Sequence, residues 1–191
     1  LVREALCDEL SALRRIRLHK RIGEAIEELH GERNPGFLTE CAHHFSEAAS
    51  IGDPLKAVLY GQRAADRLVA QFAYEDALPF YERAIALYQQ YDVVTYHTRV
   101  DVLIGLGWAL RASGRLADAR EVLRRAIDVA EEHGDDVRIA RAVLGIGGGS
   151  FWGWWDEFGI AASDLVSYLE RALAQLDTED SALRVELTGR L

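Results

Sequence analysis

The segment ECAHHFSE, residues 40–47, gathers the side chains from which metal sites and acid–base pairs are built. Glu40 and His44 stand four residues apart, as do His43 and Glu47. On a helix each pair shares a face and can reach one ion. Two features argue against a metal. The chain has neither H-E-x-x-H nor paired C-x-x-C spacing. Adjacent residues on a helix also project about 100° apart, so His43 and His44 do not converge by themselves. Glu40, Cys41, His43, His44 and Glu47 are therefore expected to be structural, and no metal or other cofactor is expected.

A second chemically loaded stretch is GIGGGSFWGWWDEFGIAAS, residues 145–163, with three of the four tryptophans. Its glycines miss the dinucleotide fingerprint at the last position, and no G-x-x-x-x-G-K-[ST] loop occurs in the chain. A tryptophan can bury about 200 Å². At about 25 cal/mol per Å² that is on the order of 5 kcal/mol as an upper bound, so most of these rings are expected to be covered. Two arrangements do that. One is a plug closing a helical core. The other is an aromatic pocket of Trp152, Trp154 and Trp155 with Asp156 and Glu157 at its rim, which a small-molecule binder or an enzyme would use. An enzyme needs an acid–base or nucleophilic set, and no histidine or cysteine lies near this stretch.

The only basic cluster, RRIRLHKR, holds Arg14, Arg15, Arg17, Lys20 and Arg21. Glu24, Glu27 and Glu28 follow and offset it, with Lys20 and Glu24 spaced for an ion pair. The chain as a whole carries a net charge of −9, which repels phosphate backbones; direct nucleic-acid binding is not expected. Two cysteines, Cys7 and Cys41, are too few for a disulfide framework, and a reduced cytoplasmic setting is expected. The longest uncharged run, Ala142–Trp155, is broken by glycine and shorter than the ~20 residues a membrane span needs. The chain starts at Leu1 and lacks methionine, so a piece of a longer polypeptide is expected.

The elements that carry these residues read as helices. Only three prolines occur, alanine and leucine abound, and no stretch alternates with a period of two. Leu18, Ile22, Ala25, Ile26 and Leu29 form one helical stripe. Ser11 and Gly31 suit its ends. Asn34 and Pro35 are suited to open the next helix, which Gly52 ends, and Asp53 with Pro54 repeats the cap-plus-proline device. Further helices are expected near 54–70, 74–91, 96–113, 116–133, 136–149, 162–176 and 181–190.

These helices repeat. Leu103-x2-Leu106-Gly107-x2-Leu110 is followed by Ala119-x3-Leu123-x2-Ala126. Upstream, Ala65, Ala77 and Ala84 precede Gly107, Ala119 and Ala126 by one offset, 42 residues. Tiny side chains at these phases let antiparallel helices approach closely, and Gly114 suits the tight turn between them. The pattern resembles the tetratricopeptide repeat, lengthened from its usual ~34 residues. A degenerate third copy joins Leu144-Gly145 to Leu165-x3-Leu169-x2-Ala172.

The fold expected is thus all-α: antiparallel helix hairpins stacked as a right-handed tetratricopeptide-like solenoid. Residues 1–50 form a helical lead-in and 51–191 the repeats, at about 57–91, 100–133 and 138–176. The Trp/Gly-rich insertion lies at 147–161 and a closing helix at 181–190. In this repeat type one phase of the first helix faces the concave groove. That phase holds Asp101, Ile104, Trp108 and Arg111, with Leu59, Gln62, Asp66 and Val69 in the preceding copy. Trp108 there either anchors a peptide or packs on a neighbouring helix.

The segments LVREALCDELSALRRIRLHKRIGEAIE, CAHHFSEAASIGDPLKAVLYGQRAADRLVAQFAYEDALPFYERAIALY and DLVSYLERALAQLDTEDSALRVEL also resemble large bacterial ATP-binding regulators of the LuxR type and their cyclase-fused relatives. The resemblance implies a region that senses a small inducer or a protein or peptide partner. It implies transmission to NTPase and output domains of the same polypeptide, with self-association possible. No catalytic residue carries over, because the matched region is not the catalytic part of those proteins.

Overall fold

The computed structural model describes residues 11–30, 35–146, 162–175 and 182–189. Every regular element among them is helical, and no strand occurs among them. The chain divides into two compact units, Leu1–Val94 and Thr95–Leu191.

The first unit holds α1 (Ala12–His30), a 3₁₀ turn (Pro35–Phe37), α2 (Leu38–Glu47), α3 (Pro54–Ala70) and α4 (Tyr74–Tyr91). The second holds α5 (Tyr96–Ala112), α6 (Leu116–Glu132), α7 (Asp136–Ile146), α8 (Ala162–Gln175) and α9 (Ala182–Thr188). The bounds of α5 repeat those of α3 42 residues later, and α6 starts 42 residues after α4. Within each unit successive helices pack on one another, and the short turns that join α3 to α4 and α5 to α6 make each of these pairs a helix hairpin.

The turns show why the register repeats. The amide of Ala73 donates to the Leu68 carbonyl at 2.9 Å, and that of Arg115 to the Leu110 carbonyl at 2.9 Å. Both are the six-to-one bond of a helix end that closes through a left-handed residue. Gly114 supplies that residue in the second hairpin, with φ of 83°. Phe72 supplies it in the first, with φ of 62°. At the entry to α3 the Asp53 carboxylate accepts from the Lys56 amide at 3.2 Å, with Pro54 in the first turn, as the sequence predicts.

Small residues sit where helices cross. Ala57, Ala64, Ala65, Ala77 and Ala84 are fully buried in the first unit, as are Ala119, Ala126 and Ala130 in the second. Gly107 makes the closest approach: a Cβ built there would lie 2.4 Å from Leu123 Cγ. Gly145, from the degenerate third copy, closes on the same leucine, its added Cβ 3.1 Å from each Leu123 methyl. Leu123 is thus a knob held between glycines of α5 and α7.

Three expectations need correction. The helix expected to open at Asn34–Pro35 begins instead at Leu38, because Pro35–Phe37 winds as a 3₁₀ turn. It ends at Glu47 rather than Gly52, whose amide closes the following turn on the Ala48 carbonyl at 2.8 Å. The apolar stripe of α1 is not its packing face: Leu29 is 77% exposed, and Leu18 and Ile22 are exposed too. The docked row is His19, Gly23 and Glu27, spaced at i, i+4 and i+8. Gly23 lets Phe45 of α2 approach here, since a Cβ there would stand 3.1 Å from the Phe45 ring.

Candidate functional site

The α5 row begins at a seam. Asp101 accepts a two-pronged contact from Arg138 of α7, Nε to Oδ1 at 3.0 Å and Nη2 to Oδ2 at 2.9 Å. Arg141 adds a third bond at 3.2 Å. Arg138 also donates to Asp135 at 2.8 Å. Burial alone raises the carboxyl of Asp135, but the bonds from the Arg138 amide and guanidinium outweigh it and hold the group below its ordinary range. The paired, planar guanidinium fork fixes α7 against α5 with a defined rotation. Ile104, next along the row, is buried.

The row then opens. Trp108 keeps 36% of its surface exposed, although Gly107 and Ala109 beside it are buried. Its indole nitrogen edges the end of α7, 3.0 Å from where a Cβ on Gly145 would sit. The Arg111 guanidinium lies 5.1 Å from the Trp108 ring and donates to the Gly145 carbonyl at 3.3 Å. The cation thus lies against the indole and also donates to a backbone carbonyl of α7. Trp108 therefore packs along one edge and offers the rest of its ring to solvent.

The equivalent positions of α3 lie in the first unit. Leu59, Gln62 and Val69 are half-buried and Asp66 is exposed. Asp66 accepts a 2.5 Å hydrogen bond from the hydroxyl of Tyr81, whose ring is 1% exposed. Burial, reinforced by the Asp66 charge, pushes the Tyr81 phenol well above its usual range.

The ECAHHFSE stretch divides between core and surface. Cys41 is 3% exposed, and burial, aided by Glu27 and Glu40, pushes its thiol up to about 11. A protonated, buried thiol is no nucleophile at neutral pH. In a Cys7→Ser chain, Cys41 should react with a disulfide reagent at pH 8 about a hundredfold more slowly folded than in guanidinium, the ratio of thiolate populations set by the shift from 9.0. Equal rates would place the thiol at the surface.

Sequence spacing missed the long-range partners of this stretch. His19 of α1 meets His44, Nδ1 to Nδ1 at 3.0 Å, with the His43 ring centroid 5.4 Å away. Burial first, then His43, with a smaller contribution from Arg15, lowers the pKa of His19 against an opposing pull from Glu47. One turn and two turns on, Gly23 and Glu27 complete the docked row. Glu27 accepts from Lys56 at 2.6 Å and from Tyr60 at 2.7 Å. Burial would raise that carboxyl, but these bonds prevail and hold it below its ordinary value. The only sequence signal was the i, i+4, i+8 spacing of His19, Gly23 and Glu27. The basic cluster on the same helix does form its expected pair, Lys20 with Glu24 at 3.8 Å.

Trp152, Trp154, Trp155, Asp156 and Glu157 lie outside the described residues. The helix leading toward them is described from Asp136 to Ile146, and the rest of its expected span, to residue 149, lies outside the described residues as well. A cleft of about 430 Å³ runs from Ile146 along α6, where Arg120, Arg124 and Arg125 alternate with Glu121 and Asp128. Its mixed charge selects no single ligand class.

Residues 55–132 match the tetratricopeptide-repeat family model. The matched region covers the two hairpins that share the 42-residue offset. No curated protein matches the chain. Tetratricopeptide hairpins are interaction elements as a class, presenting helix faces to partner proteins. No helix among the described residues is long and apolar enough to cross a membrane.

Proposed function

We propose that this chain is the non-catalytic interaction and sensor region of a multidomain signalling ATPase and transcriptional regulator. A protein or peptide partner, or a small inducer, binds the helical repeats. That event is passed to NTPase and output domains elsewhere in the polypeptide, in a cytoplasmic setting.

The observation that carries the reading is Trp108. A solenoid-type helix buries its neighbours yet leaves an indole 36% exposed, with the Arg111 guanidinium held beside it. Tryptophan and arginine are the side chains that most often dominate protein interfaces. The face comprises Trp108 and Arg111, with the Asp101–Arg138 fork and the buried Ile104 on the same helix row. The corresponding α3 positions, Leu59, Gln62, Asp66 and Val69, form the equivalent face of the first unit.

Two measurements test this. If the full-length polypeptide encodes neither an NTPase nor a DNA-binding or cyclase domain, the sensor role is lost. For the face, peptides selected from a display library on the 191-residue chain provide the probe. Trp108→Ala should weaken the selected peptides at least about tenfold, as truncating an interface anchor does. Unchanged affinity with a large loss of stability would make Trp108 a packing residue.

A further inference from the structure

We propose that His19, His43 and His44 form a binding site for a divalent late first-row transition ion, zinc above all, where α1 meets α2. A ligating nitrogen from each of the three side chains lies within 4.8 Å of the other two. The tightest pair is His19 Nδ1 with His44 Nδ1 at 3.0 Å.

The geometry suits an ion better than it suits either helix alone. Zinc–nitrogen bonds run about 2.0–2.1 Å, so two imidazole nitrogens on one tetrahedral zinc stand roughly 3.3 Å apart. The Nδ1 pair is within a few tenths of an ångström of that edge. His43 is exposed and closes the remaining gap by side-chain rotation. The sequence argument that adjacent helical histidines diverge holds for His43 and His44 as a pair. His19 changes the outcome by arriving from another helix, with ring centroids 5.4 Å from His43 and 5.0 Å from His44.

Between two Nδ1 atoms only one proton fits, so one nitrogen must give up its hydrogen to the contact. A cation accepts both lone pairs. Imidazole nitrogen is a borderline ligand, which favours zinc, copper, nickel and cobalt over calcium and magnesium. The charged neighbours are Glu47, four residues from His43 and able to offset the cation's charge, and Arg15, which opposes it. Three protein ligands leave a fourth position open to water or to Glu47. The half-buried, exposed, half-buried sequence of the three residues leaves an entry path. Such an ion would bridge α1 to α2 at the row where Gly23 and Glu27 already dock.

The test is calorimetric titration of zinc chloride into the tag-free 191-residue chain, with calcium chloride as the comparison. One equivalent of zinc should bind in the micromolar range or tighter, and calcium should not. Losing an outer-shell partner typically weakens a metal site roughly 10–100-fold, and losing a ligand costs at least as much. His19→Ala and His43→Ala should each therefore weaken zinc at least about tenfold. His97→Ala and His133→Ala, on the other unit, should leave it unchanged. Should the ligand variants misfold by far-ultraviolet circular dichroism, cobalt added to the unmodified chain reads the site directly. Strong visible bands of a low-coordinate centre are expected. Zinc binding that is absent, or equally strong in both ligand variants, or a cobalt spectrum no different from the aqueous ion, overturns the proposal.

Discussion

Gly107→Ala should destabilise the Thr95–Leu191 unit by about 2 kcal/mol, although alanine is the better helix former by about 1 kcal/mol. The new methyl would stand 2.4 Å from Leu123 Cγ and 2.6 Å from its Cδ2, well inside contact distance. Overpacking of this kind costs typically 1–3 kcal/mol and occasionally more, and here the leucine has no retreat. It is 1% exposed, and on its other side the backbone of Gly145 leaves no more than ordinary clearance. Leu123→Ala alone should cost 2–5 kcal/mol through the cavity it leaves. The double variant supplies the decisive number. If the clash is the cause, the two changes compensate, and the pair should be at least about 1 kcal/mol more stable than the sum of the singles. Urea unfolding followed by tryptophan fluorescence reports on this unit selectively, because all four tryptophans lie beyond residue 94. Strict additivity, or a Gly107→Ala chain as stable as its parent, would show that α5 and α6 are not in the contact described.

In the first unit the corresponding knob is Tyr81, 42 residues before Leu123 and among the largest fully buried side chains. Tyr81→Ala should cost about 3–5 kcal/mol, the range for emptying a large aromatic site. Tyr81→Phe separates ring from hydroxyl. It removes only the bond from α4 to Asp66 on α3, and since Asp66 is exposed and can turn to water, the loss should be about 1 kcal/mol. Thermal melts by circular dichroism, together with hydrogen exchange of α3 and α4 amides, measure both. A Phe variant as damaged as the Ala variant would mean that the polar bond, and not the packing of the ring, holds this hairpin.

Much of this architecture was legible in the linear chain because its causes are local. Asp53 and Pro54 open α3 through a carboxylate three residues from the amide it caps. Gly114 closes a turn that needs a positive φ. The 42-residue offset of small residues reappears in the helix bounds. The cap and the turn depend on residues within about one helical turn of each other, where backbone geometry fixes who meets whom, and the offset is the same local pattern written twice.

What tertiary structure alone decided is which face each helix turns toward its neighbour. Periodicity marked Leu18, Ile22, Ala25, Ile26 and Leu29 as the apolar side of α1, yet the helix docks through His19, Gly23 and Glu27. Phe45 fits against a glycine and not against a row of branched side chains, and Lys56 and Tyr60 then draw Glu27 to the same side. The convergence of His19 on His43 and His44 is a by-product of that choice. In the second unit, the setting of Trp108, whose indole meets Gly145 37 residues further along, is likewise fixed by a contact between helices distant in sequence. Helix content and repeat length follow from interactions between residues close in sequence. The seating of one helix on another follows from the shapes of two surfaces far apart in sequence, and only the folded chain brings those shapes together.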